Sequence, residues 1–133
     1  MSRFYKMGFT ITGYNKEKEI DIIEAISLIW DIDTDNCYID SSNQRAVDII
    51  NNKNNLNLPC TYCFVDGEGN LCGGESEDEF AERASLLIWE TNGGFCGVMI
   101  TATYLEDSPY EQYEYRDHDK YIEMMKREKD KKK

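Results

Sequence analysis

The sequence predicts an α+β domain, a ferredoxin-like βαββαβ two-layer sandwich in which one antiparallel sheet carries two main helices on one face, with an acidic, Tyr-rich C-terminal extension. Three observations predict it. Residues 3–14 alternate with the period of a strand, two segments repeat with the period of a helix, and strand-like runs follow at 60–74 and 96–104. At 133 residues, 41% of them hydrophobic, the chain is the size of one domain and can bury a core without disulfides or a structural metal. The expected division is one α+β domain over 1–105, an acidic and aromatic arm over 106–125 and a basic, disordered tail over 126–133.

In the first strand Tyr5, Met7, Phe9 and Ile11 share one face, and Lys6, Gly8, Thr10 and Thr12 the other. Asn15 can cap a helix over 16–30, in which Ile20, Ile23, Ile26 and Trp30 follow the 3.6-residue period. A short strand fits Cys37–Ile39. Ser41-Ser42-Asn43-Gln44 resembles a capping box, opening a short helix through Ile50. Five of the seven residues of Asn51–Asn57 are Asn, which predicts a loop. Pro59 leads into an expected hairpin, Cys60–Asp66 and Asn70–Gly74, turning at Gly67-Glu68-Gly69.

Ser76-Glu77-Asp78-Glu79 is a stronger capping box, with three acids in the first turn of a helix where its dipole favours them. That helix should bury Phe80, Ala84, Leu87 and Ile88 and stop at Gly93-Gly94. A strand follows, with Cys96, Val98, Ile100, Ala102 and Tyr104 facing inward.

Charge narrows the partner. The chain carries −11, but its last eight residues hold six basic and two acidic side chains, so residues 1–125 carry −15. Such a body repels a nucleic-acid backbone, whose binding needs Lys and Arg to displace counterions. Direct nucleic-acid binding by the body is not expected, and a basic protein surface is. No apolar run approaches a membrane span, and no charged-then-apolar leader precedes the first strand. An odd number of cysteines, five, points to free thiols in a reducing cytoplasm.

Several patterns could carry chemistry. Cys60-x2-Cys63 has zinc-like spacing, but a flat strand turns the two sulfurs apart and no second pair follows, so buried thiols are expected. Asp31, Asp33 and Asp35 sit at positions 1, 3 and 5 of a calcium-type loop after a helix, and they are the candidate ligands for Ca or Mg. Position 12, which should offer a bidentate Glu, is Ser42, so the pattern is incomplete; no other cofactor is implied. One histidine, His118, lies between Asp117 and Asp119 in a polar stretch expected to be solvated, so no His-based catalytic arrangement is supported.

The richest interaction signal is the run Glu106, Asp107, Tyr110, Glu111, Tyr113, Glu114 and Tyr115, where tyrosines alternate with carboxylates after the last core strand. Tyrosine offers large contact area at low entropic cost and accepts cation–π contacts from Arg. Packing of this run on its own domain or on a second copy, as a homodimer, is the structural alternative. The expectation is therefore a non-enzymatic protein-binding or inhibitor module that docks this surface on a basic region of a partner. A phage or mobile-element accessory protein that blocks a nucleic-acid-binding surface is one form of it. The alternatives are a divalent-metal domain using the Asp31–Asp35 loop and a small enzyme of unassigned type.

Overall fold

Alternation places Tyr5, Met7, Phe9 and Ile11 on one side of β1 (Arg3–Thr12), all four buried, and this strand is the spine of the structure. The computed structural model describes residues 3–32, 38–39, 44–71, 75–104 and 110–131. A 3-10 turn leads from β1 into α1 (Glu19–Ile29), followed by β2 (Tyr38–Ile39) and α2 (Gln44–Asn54). Then come β3 (Tyr62–Leu71), α3 (Glu77–Asn92), β4 (Gly97–Tyr104), β5 (Tyr110–Tyr115) and α4 (His118–Lys131). The strands form one antiparallel sheet in the order β2-β3-β1-β4-β5. The α+β class holds. The element order departs from βαββαβ, because α2 stands between β2 and β3 while β5 and α4 follow β4.

The hairpin expected across residues 60–74 is one continuous strand, β3. Its glycines serve a close crossing, not a turn. Gly67 and Gly69 share a face with Cys63 and Val65, and the chain leaving α1 passes directly over them. A Cβ on Gly67 would strike the Asp31 carbonyl oxygen and lie 2.6 Å from Ile32 Cα; one on Gly69 would lie 3.2 Å from the Trp30 ring. Glycine inside a strand often marks such an approach. β3 instead pairs along its whole length with β1, from Arg3–Leu71 to Thr12–Tyr62, and on its other side with the short β2, where Tyr38 stands opposite Phe64 and Ile39 opposite Cys63.

The helices bury stripes somewhat different from those expected. In α1 the buried residues are Ile22, Ala25 and Ile26, with Trp30 just beyond, whereas Ile20 is 69% exposed. The α3 capping box is formed: Glu79 N–H donates to Ser76 Oγ at 3.1 Å, and Ser76 N–H donates to Glu79 Oε1 at 3.3 Å. Gly93, at φ +82°, closes that helix in the left-handed conformation that glycine adopts without a Cβ penalty. Phe80, Ala84 and Ile88 are buried as expected, together with Ala81 and Trp89, but Leu87 faces outward.

The second helix runs on into the Asn-rich segment and ends before Asn55, which takes φ +54°. The side chain of Asn54 explains why asparagine suits this end. It donates to the carbonyls of Ile50 and Arg116 at 2.9 and 3.0 Å and accepts from His118 N–H at 3.0 Å, joining α2 to the start of α4. Ile50 is buried against Gly97, where a Cβ would lie 2.5 Å from Ile50 Cδ1. Gly97 projects to the sheet face opposite Val98 and Ile100, so α2 covers the end of the face turned away from α1 and α3.

Residues 110–131 are parts of the fold, not an arm and a disordered tail beside it. β5 pairs along β4 from Thr103–Tyr110 to Val98–Tyr115, and α4 continues to Lys131. Tyr121 and Met124, three apart on α4, form its inward stripe: Tyr121 packs on Trp89 with ring centroids 4.9 Å apart, and Met124 is buried.

Candidate protein-binding groove

Of the tyrosine–carboxylate run, β5 turns alternate residues to opposite faces. Tyr115 is 3% exposed, edge-on to Trp89 at 6.2 Å, with Lys120 Nζ 4.8 Å from its ring centroid. Burial, reinforced by the nearby Asp78 and Glu82 carboxylates, pushes its phenol up to about 12. Tyr115 therefore belongs to the core and presents no ring to a partner. Tyr113 packs half-buried against the same core, while Gln112 and Glu114 are exposed on the other face. The backbones of Tyr110 and Glu111 pair opposite Thr103 and Ala102; Glu106 and Asp107 lie outside the described residues.

Among the candidate metal ligands, Asp31 is exposed at the end of α1, and Asp33 and Asp35 lie outside the described residues. Among the described residues no group of three His, Cys, Asp or Glu side chains is placed to hold a metal ion. Cys63 and Cys96 are buried, Cys60 is partly exposed, and Cys37 and Cys72 lie outside the described residues. Burial and the neighbouring Cys63 push the Cys96 thiol above its ordinary range. His118 is half-buried against Phe95 and Tyr121, at centroid distances of 5.1 and 5.6 Å, rather than on a solvated segment. Among the described residues no helix is long and apolar enough to cross a membrane.

Among the described residues a groove of about 600 Å³ runs along the outer side of α3. Capping fixes where α3 starts, and the buried stripe of Phe80, Ala84 and Ile88 fixes which side faces out. The outward positions are then Glu79, Glu82, Arg83, Leu86 and Glu90, with Leu87 beside them. Ile29 at the end of α1 and Met124 and Arg127 of α4 contribute the rest of the wall, and Glu75 adds a carboxylate near the α3 N-terminus.

Four glutamates thus frame an apolar floor of Ile29, Leu86, Leu87 and Met124. The two cations present are held by two of the acids. Arg83 donates through Nε and Nη2 to both Glu75 oxygens at 3.0 Å, and Arg127 Nη2 lies 2.7 Å from Glu82 Oε1. Glu90 has no ion-pair partner among the described residues. The groove can receive aliphatic side chains at its centre and cations at its rim. None of its lining residues is a Ser, Thr, Cys, Lys or His; its ionisable groups are four carboxylates and two guanidinium groups.

None of these lining residues except Met124 and Arg127 comes from the C-terminal region singled out in the sequence. One signal did point to it. Leu86 stands opposite Ala84 on the helical wheel, an aliphatic residue on the side of α3 that its carboxylates mark as outward. A comparison with protein-family models finds none that matches the chain, and comparisons with curated proteins and solved structures find no match either.

Proposed function

We propose that this protein is a non-enzymatic binding module that docks on a basic region of another protein through its acidic helical side. The observation that carries the reading is the α3 groove, an apolar floor ringed by Glu75, Glu79, Glu82 and Glu90 on a body of strongly negative charge. Charge of this sign steers a cationic partner inward and repels phosphate backbones. Concave apolar surface with a few convergent polar groups is the usual form of a binding site. The docking surface is thereby moved from the β5 tyrosines to α3 and its flanks. The odd number of cysteines favours a reducing cytoplasm. The strand order β2-β3-β1-β4 favours a ferredoxin-like frame interrupted by α2 and extended by β5 and α4. An accessory protein of a phage or mobile element that covers another protein's nucleic-acid-binding surface is the biological form this reading takes.

Affinity capture from the source cell tests it, with the wild type run beside a Glu82→Lys/Glu90→Lys variant of verified fold. The retained proteins should be basic, should elute as salt rises, and should be lost from the variant. Retention indifferent to salt, or equal on the two baits, contradicts the reading.

A further inference from the structure

The chain docks one amphipathic helix on the flank of α3 already, its own, of mixed charge with five basic and four acidic side chains. In α4, Met124 is 2% exposed on the apolar floor and Tyr121 packs on Trp89. Lys120 lies over the Tyr115 ring and Arg127 reaches Glu82. Aliphatic and aromatic anchors go inward while cations meet carboxylates or an aromatic face, all within two turns of helix. The groove repeats those terms and is open. Its apolar centre is Leu86 and Leu87 with Ile29 and Met124, and its carboxylates fall at both ends, Glu79 at one and Glu90 at the other. From 79 to 90 the groove spans about 16 Å at the helical rise, the length of three turns.

Resting on the protein-binding reading above, we infer that the groove receives a three-turn basic amphipathic helix of a partner protein, with two aliphatic residues one turn apart at its centre and Lys or Arg at both ends. Helix-in-groove docking reads anchors at such spacing. The cations at the ends meet Glu79 and Glu90. The internal pairs do not bar entry, because Arg83–Glu75 and Arg127–Glu82 are solvent-accessible, with side-chain exposures of 49/24% and 55/35%. Pairs of that kind contribute little and exchange partners readily. A phosphate-bearing ligand meets the wrong charge here.

The test uses a fluorescein-labelled synthetic peptide of Leu and Lys, patterned so that its leucines share one helical face, at low ionic strength. A scrambled peptide of the same composition and an oligo-lysine serve as comparisons. The patterned peptide should bind about tenfold or more tightly than the scrambled one, and Leu86→Asp should remove that advantage. Because Leu86→Asp also touches packing, Glu90→Lys at an exposed position provides a second variant; it should weaken the patterned peptide several-fold with the unfolding midpoint unchanged. Equal binding of patterned and scrambled peptides, or indifference to both substitutions, overturns the helix-in-groove inference while leaving an acidic protein-binding surface. Failure of every basic peptide, oligo-lysine included, to bind at low salt overturns the protein-binding reading with it.

Discussion

Trp30 Nε1 donates to the Gly67 carbonyl at 2.8 Å, a buried hydrogen bond that fastens the end of α1 to the middle of β3. The indole reaches that carbonyl because residues 67 and 69 have no side chains to hold it away, and its ring then packs edge-on to Phe80 at 5.2 Å. Gly67→Ala should therefore destabilise the fold by about 2 kcal/mol or more, since its Cβ meets backbone that cannot rotate aside. Gly94→Ala, where a Cβ meets nothing within 4 Å, should stay within about 0.5 kcal/mol of wild type. Urea unfolding of the two variants decides this; equal midpoints would mean that the crossing is loose.

Asn54 binds three backbone groups, one in its own helix and two in the distant segment that leads into α4. Asn54→Ala should cost about 1–3 kcal/mol, since it leaves the His118 N–H and two carbonyls without this partner. Asn52→Ala, at an exposed position on the same helix, should be near neutral. Amide exchange at His118 should accelerate in the first variant alone.

These two sites show where the sequence was legible. β1 and β4 announce themselves by alternation, and α3 by a capping box at its start and a glycine at its end. Gly67-Glu68-Gly69 misleads, because the need for a bare backbone under Trp30 leaves the same letters as a turn. The Asn-rich run misleads likewise: Asn51 and Asn54 use their amides to tie down a helix end, a tertiary role that composition cannot distinguish from a loop. The tyrosines of β5 alternate with carboxylates because the strand is an edge with one face on the core, which a sequence reading can equally take for a docking surface. Leu86 was readable as an outward leucine, but the walls that make a groove of it come from α1 and α4.

The docking of α4 rests on packing more than on charge. Met124→Ala should destabilise by about 2–3 kcal/mol, as truncation of a buried methionine does. Arg127→Ala should cost less than about 1 kcal/mol, because its pair with Glu82 is solvent-accessible. Tryptophan fluorescence, reporting on Trp89 beneath Tyr121, should follow the first variant and ignore the second. A larger loss for Arg127→Ala, or undocking of α4 in high salt, would reverse this ranking.

Alkaline pH should weaken the fold in a defined direction. An unfolded tyrosine loses its proton near pH 10, whereas Tyr115 holds its proton to about 12. Between those values the unfolded state binds fewer protons, so stability is full below about pH 10 and falls as pH rises toward 12. Tyr14, whose phenol is pushed up by burial and by its hydrogen bond to Glu19, acts in the same direction. Tyr115→Phe should therefore flatten part of the decline and not all of it. Tyrosinate absorbance should show Tyr14 and Tyr115 ionising only as the fold is lost; their ionisation with no loss of stability would contradict the burial of both.

The measurement that bears most directly on a basic helix entering the α3 groove is a methyl NMR titration of methionine-labelled protein with the patterned Leu–Lys peptide. Met124 lines the groove, whereas Met99 lies on the opposite face of the sheet, half-buried between Thr10 and Glu114. The Met124 resonance should shift saturably while that of Met99 stays in place. A shift at Met99 with none at Met124 would place the basic partner on the other side of the molecule and contradict the groove.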